Sequence, residues 1–274
     1  MDWQAELLFW WLGFVVVGTL AFMRFSQRRV PRGWLTVGTT ILALALVGRL
    51  SESIILIRAA AALWLLLMFV PSVLVQLAIG LIVRQRYAAA RAIQQVVAVL
   101  HPCDGCREVP AATRAMELAS QGDHDGATAI LEAVARKPSS VAAQAVVLLC
   151  RIGQRWGDLQ AWAAERPEII AREPGLLSHV LRAHGETGDL AGMVGLYDRE
   201  RSIIDRMRPH LLRDSCRLML FVYGGRPEFV ERILRQSDFA AAPAPEQRFW
   251  TAVARWAAGD GEAARRDFEE VLPE

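Results

Sequence analysis

Charged side chains vanish from three long stretches near the N-terminus and return at short intervals over the rest of the chain. The uncharged runs are Leu7 to Met23, Gly33 to Gly48 and Ala59 to Val83. About 20 apolar residues carry a helix across a hydrocarbon core of about 30 Å, so the pattern predicts spans at about 7–25, 33–50 and 54–83. The middle run has sixteen residues, roughly 24 Å at 1.5 Å per residue, and falls slightly short. Arg49 and Glu52 follow it. Carrying either to the bilayer centre costs about 2.5 to 3.5 kcal/mol, so the cheaper placement is the outer interface with Arg49 snorkelling. Ser51 to Ser53 is then the outer turn; the alternative is an Arg49/Glu52 pair inside the bundle. The third run contains Pro71, a possible kink, and Gln76 as its one amide.

Arg24, Arg28, Arg29 and Arg32 fill the first loop, and the positive-inside rule assigns them to the cytoplasm, with the N-terminus outside. Trp3, Trp10, Trp11 and Trp34 fall near the predicted membrane faces, where amphipathic rings prefer to sit. A cleaved signal peptide is disfavoured, because the start carries Asp2 and Glu6 where a basic region belongs and no small-x-small site follows. Arg84, Arg86 and Arg91 lie beyond the third span on the cytoplasmic side. No turn signal separates them from it, so the helix is expected to continue into water with Ile93, Val96, Val97 and Leu100 as its apolar stripe. His101-Pro102 ends it. The expected division is a transmembrane region over 1–83, a juxtamembrane helix and turn over 84–109, and a soluble domain over 110–274.

The soluble part carries an internal period. Gly122-Asp123, Gly157-Asp158, Gly188-Asp189, Gly225-Arg226 and Gly259-Asp260 are spaced by 35, 31, 37 and 34 residues. A helix-turn-helix repeat of about 34 residues is the tetratricopeptide period, and stacked units make a solenoid. Glycine suits the left-handed residue that ends a first helix, and aspartate caps the second. Pro110, Pro138, Pro174, Pro209 and Pro245 mark the entries to first helices, where a missing N–H is tolerated. Ala127, Leu131 and Val134 stand five, nine and twelve residues after the first Gly; Ala264, Phe268 and Val271 do the same after the last. The first helices lack the Trp-Leu-Gly-Tyr set of the full consensus, so about five degenerate repeats are expected. The fold class is all-α: about three transmembrane helices, then a tetratricopeptide-like solenoid.

Composition narrows the function. Apolar residues make up 53% of the chain, as expected if part of it lives in lipid. Residues 1–83 carry six Arg against three acidic residues, so the whole-chain charge of +2 leaves about −1 for the remainder. That soluble part lacks the basic footprint of a nucleic-acid binder. Cys103 and Cys106 form a C-x-x-C beside His101, but a closed zinc site needs four ligands and Cys150 and Cys216 have no paired spacing. A plain turn is the expectation, with neither metal nor cofactor. His179, His184 and His210 are scattered on predicted helices. Trp156, Trp162, Trp250 and Trp256 are expected to pack within the solenoid, with a groove-lining role as the alternative. None of the eleven Ser precedes a Gly, and no phosphate-binding Gly loop or H-E-x-x-H is present.

Three stretches, QRYAAARAIQQVVAVLHPCDG (85–105), LRAHGETGDLAG (181–192) and RFWTAVARWAAGDGEAARRDF (248–268), give the chain a family likeness. It resembles the region that precedes the catalytic core in a set of bacterial rhomboid-family intramembrane serine proteases, most specifically through HP-x-DG and GETGDL. The resemblance implies spanning helices followed by a cytoplasmic tetratricopeptide-like array at a bacterial inner membrane. It transfers no catalytic residue, because the rhomboid Ser sits in G-x-S-G and its base is a His on a neighbouring membrane helix. Both cysteines depart from the usual HP-x-DG turn. The expected function is a non-catalytic, membrane-anchored module that positions a protein or peptide partner or substrate in its groove, in contact with the lipid bilayer. The alternative is a free-standing membrane adaptor with no protease connection.

Overall fold

The computed structural model describes residues 3–27, 31–139, 141–207, 210–240 and 243–271. Every regular element among them is helical. The chain forms two compact units, Met1–Ala145 and Val146–Glu274.

The first unit begins with α1 (Trp3–Gln27), α2 (Arg32–Leu50) and α3 (Ile54–Trp64). A π-helical turn, Leu65–Phe69, joins α3 to α4 (Val70–Val83), so that Ile54–Val83 is one continuous helix of 30 residues. Three helices near the N-terminus, Trp3–Ala21, Arg32–Leu50 and Ile54–Val83, are therefore long and apolar enough to cross a membrane. They pack pairwise around Leu12, Val16, Trp34, Ile41, Ala45, Ala60 and Met68. A Cβ at Gly48 would lie 2.9 Å from both Ile57 Cγ1 and Leu56 Cβ. The glycine thus lets α2 and α3 approach closely, as small residues do in apolar bundles.

Pro71 explains the π turn. It has no N–H to donate and its ring crowds the preceding turn, so the ladder widens: Val70 N–H bonds Leu65 O, five residues back. Ser72 Oγ then donates to Met68 O at 2.7 Å, occupying a carbonyl at the disturbed turn. The turn expected at Ser51–Ser53 forms, with Glu52 at φ 55°. Arg49 Nη2 lies 2.7 Å from Glu6 Oε1, near the start of α1.

The third apolar helix does not continue into the next segment as one helix; it ends at Val83. Gln85 adopts φ 58°, Arg86 N–H bonds Leu81 O at 2.8 Å, and the chain reverses into α5 (Tyr87–Leu100), which packs back on α4. The expected stripe is displaced as well. Ala90, Gln94, Val97 and His101 are buried while Val96 is half exposed. The unit continues through α6 (Val109–Ser120) and α7 (His124–Ala135), an antiparallel pair, with α5 packed on α6. Arg91 and Arg114 both reach Glu117 Oε2, at 3.1 and 2.7 Å.

Helix α8 (Val141–Ile152) runs across the division between the units. The second unit continues with α9 (Trp156–Glu165), α10 (Pro167–Arg172), a 3-10 turn at Pro174–Leu176 and α11 (Leu177–Glu186). Then come α12 (Leu190–Ile204), α13 (His210–Tyr223), α14 (Pro227–Leu234), α15 (Ser237–Ala240), α16 (Ala244–Ala257) and α17 (Gly261–Val271). Helix α11 packs on α9, α12 and α13, and α13 packs in turn on α14 and α16. Leu159, Leu177, Leu181, Met193, Leu218, Val222 and Val230 fill the space between them.

The turns share one geometry. N–H groups of Asp123, Arg155, Asp189, Arg226 and Asp260 each bond the carbonyl five residues back, at 2.7 to 3.0 Å. Each bond encloses a residue of positive φ, at Gly122, Gln154, Gly188, Gly225 and Gly259, as a Schellman end requires. Gly157 is the exception to the expected set: it lies inside α9 with Asp158, in the helix's first turn. The left-handed position there is Gln154, which costs a non-glycine residue some backbone strain and carries no sequence signal. The left-handed residues follow one another at 32, 34, 37 and 34 residues. Asp123 and Asp189 cap the next helix by accepting from Gly126 and Gly192 N–H, both at 2.9 Å, and Asp260 accepts from Ala263 N–H at 3.2 Å. Arg226 makes no side-chain cap. Pro110 and Pro245 sit in the first turns of α6 and α16; Pro209 lies outside the described residues.

Candidate functional site

Two side-chain constellations stand out, one in each unit. In the first, the HP-x-DG turn is docked on the start of α2. Asp104 Oδ1 accepts from Gly33 N–H at 3.1 Å and Oδ2 from Trp34 N–H at 3.2 Å. These are N–H groups at a helix start, which have no partner within their own helix. A carboxylate there also meets the positive end of the helix dipole. His101 is fully buried, its Nε2 lies 3.3 Å from Asp104 Oδ2, and its ring stacks on the Trp34 indole at 4.2 Å. Gly33 is required by the fit: a Cβ there would collide with Cys103 Cβ and with Asp104 Oδ2. The turn achieves this approach with Asp104 at φ 54° and Gly105 at φ 82°.

Cys103 is exposed and Cys106 half-buried beside this latch. Burial, with the negative charges of Asp104, Cys103 and Glu108 nearby, pushes the Cys106 thiol up to about 11. Among the described residues no three His, Cys, Asp or Glu side chains are grouped to hold a metal ion. Cys150 and Cys216 are buried in the second unit, and desolvation raises both thiols.

In the second unit an arginine is held between two indoles. Arg182 Cζ lies 5.0 Å from the Trp156 ring and 4.9 Å from the Trp250 ring, within the range of cation–π attraction. Its Nε donates to Glu186 Oε1 at 3.0 Å, and the Tyr223 hydroxyl donates to the same oxygen at 2.7 Å. Burial and the Glu186 charge raise the Tyr223 phenol well above its ordinary value. Tyr223 also lies flat on Gly185, where a Cβ would run into the ring carbons. His179 is pushed down to about 3, first by desolvation and then by Arg151 and Arg182, and stays neutral. His184 Nδ1 lies 2.8 Å from Asp189 Oδ2, so it braces a helix cap.

Trp256 differs from those indoles. It is 67% exposed and borders an apolar groove of about 640 Å³ lined by Val253, Trp256, Gly261, Arg265, Phe268 and Glu269, between α16 and α17. Arg265 and Glu269 pair across its edge at 2.8 Å. The structure thus separates the four tryptophans. Trp156 and Trp250 hold Arg182, Trp162 lies 5.9 Å from Arg166, and Trp256 is exposed beside the groove. The turn residues Gly122, Gly188, Gly225 and Gly259 are not gathered at one place; each closes its own helix pair.

Sequence reasoning missed Asp104 as a cap, Arg182 as a clamp and Tyr223 as its brace. The Asp-Gly after His-Pro signals a turn, but nothing local tells that its carboxylate reaches a helix some 70 residues earlier. Comparison with protein-family models, with curated proteins and with solved structures returns no match.

Proposed function

We propose that the chain is a membrane-anchored helical-repeat module of the tetratricopeptide type that holds a protein or peptide partner. The observation that carries this reading is Trp256 beside the α16–α17 groove. An exposed indole over an apolar groove with a polar rim is the side-chain chemistry of an interface anchor. The recurring turn at intervals of 32 to 37 residues supports a repeat architecture. The apolar helices at the N-terminus support an anchor in the membrane. The cluster of Arg24, Arg28, Arg29 and Arg32 favours a cytoplasmic array at a bacterial inner membrane, with the N-terminus outside. The resemblance to the region ahead of rhomboid cores makes an intramembrane serine protease the assembly that the module serves, by positioning its substrate or partner.

The test is photo-crosslinking from Val253, a groove residue, in intact membranes of the source organism. The reading expects discrete adducts that disappear when Trp256→Ala is added, with no change in thermal stability. Absence of adducts, or adducts indifferent to Trp256, would overturn it. An adduct or a co-purifying chain with serine-type intramembrane protease activity supports the rhomboid connection; a partner without it leaves a free-standing adaptor. A reporter fused after Glu274 should be active only in the cytoplasm, and periplasmic activity would sink the topology.

A further inference from the structure

We propose that Cys103 and Cys106 are a thiol–disulfide pair, whose closure staples the turn that caps the start of α2. The geometry of the turn is the argument. Cys106 N–H donates to Cys103 O at 3.0 Å, and the two residues between them, Asp104 and Gly105, both have positive φ. That is a tight left-handed β-turn, whose end Cα atoms lie within about 7 Å. A disulfide needs about 4.4 to 6.8 Å between Cα atoms. Both thiols are free, Cys103 is exposed to an oxidant, and Cys106 stands behind it half-buried. The other two cysteines are buried in the second unit and offer no competing partner.

The reaction is thiol–disulfide exchange with a small disulfide such as oxidised glutathione. The Cys103 thiolate attacks one sulfur of that disulfide, its S–S bond breaks, and one glutathione thiolate leaves. Cys106 then loses its proton to water, and its sulfur attacks the Cys103 sulfur of the mixed disulfide, expelling the second glutathione. Two protein thiols are oxidised to one disulfide and one glutathione disulfide is reduced to two thiols. Exchange needs a thiolate. Burial, with the Asp104 and Glu108 carboxylates facing Cys106, opposes its ionisation, so closure is the slow step. Its rate should rise about tenfold per pH unit through the neutral range. In a reducing compartment such a pair is open by default and closes under oxidising load.

The position gives closure a consequence. Cys103 Cβ abuts the Gly33 backbone, and the residue after it supplies the cap to Gly33 and Trp34. Bridging the turn therefore fixes the element that ties α2 to the end of α5.

The test uses the full chain in lipid nanodiscs, reduced and then exposed to glutathione redox buffers. Peptide mapping should show loss of two hydrogens and a Cys103–Cys106 link in one fragment, with Cys150 and Cys216 still free. Cys106→Ser should leave glutathione trapped on Cys103. Stable glutathione adducts in the unaltered chain, or a link between two chains, would overturn the pair. Hydrogen exchange reads the staple: the Gly33 and Trp34 amides should exchange several-fold more slowly in the oxidised form. Equal or faster exchange would overturn that half of the proposal.

Discussion

The apolar N-terminal helices and the second unit meet the same packing problem with opposite surfaces. In the first, Trp3, Trp10, Phe14, Leu50 and Ile55 are each at least two-thirds exposed, while polar contacts lie at the helix ends: Arg49 to Glu6, and Asp104 to the start of α2. In the second unit the buried set includes Leu159, Leu177, Leu181, Met193, Leu218 and Val230, and most charge lies outside, with Asp214 buried beside Arg213. In lipid, apolar surface would gain nothing by hiding, and such a bundle would rely on close fit, small residues and terminal hydrogen bonds. Surface facing water gains about 25 cal/mol per Å² buried.

The sharpest way to break this comparison is to remove the same group from both sides. Leu181 and Leu12 are both fully buried. Leu181→Ala should cost about 2 to 5 kcal/mol, because it loses transfer free energy and leaves a cavity. Leu12→Ala should cost roughly half of that, since leucine unfolded within lipid is already in an apolar medium and only packing is lost. Unfolding of the two variants in nanodiscs, followed by the circular dichroism of each transition, checks it. Equal losses would mean that the first unit is stabilised by water exclusion after all.

Next in size is the latch. Asp104→Ala leaves the Gly33 and Trp34 N–H groups without their acceptor and His101 without its carboxylate. It should cost about 1 to 2 kcal/mol, the upper part of the range for a lost N-cap. The signature should be local: amide exchange should rise at Gly33 and Trp34 while Asp189 and its helix are unaffected. A uniform rise over both units would show that the turn does not act as a cap on α2.

How far the chain could be read from its letters follows from the range of each interaction. The spans were legible because an unbroken apolar run is a local property; the expected 33–50 and 54–83 stand beside Arg32–Leu50 and Ile54–Val83. Glycine turns at 122, 188, 225 and 259 were legible because positive φ selects glycine. Gln154 and Gln85 were not, since a glutamine in the left-handed region looks like any other. The return of α5 along α4 followed from Gln85 and was missed with it. The Arg182 clamp joins Trp156, Arg182 and Trp250 across three helices, and no spacing rule connects them.

That difference gives a pair of substitutions with opposite signs. Gly188 has φ 74°, whereas Gly157 is helical and a Cβ there would meet nothing within 4 Å. Gly188→Val should destabilise by more than about 1 kcal/mol, because a β-branched residue resists positive φ. Gly157→Ala should stabilise by about 0.4 to 1 kcal/mol, by restricting the unfolded chain at a site the new residue can adopt. Thermal melts of the two variants decide it, and a loss on Gly157→Ala would restore that position to the set of strained turns.

The smallest effect concerns the charge in a cap. The Asp189 carboxylate is held below its ordinary value of 3.8, first by the Gly192 N–H and then by His184. A depressed carboxylate lends stability that is present at neutral pH and lost as the pH falls through the ordinary value and then through the folded one. Asn is an equally good N-cap in shape, so Asp189→Asn removes the charge and keeps the turn. The melting temperature of Asp189→Asn should lie slightly below that of the unaltered chain at pH 7, and the gap should close toward pH 3. A gap that persists at pH 3 would mean that the carboxylate acts through its geometry and not through its charge.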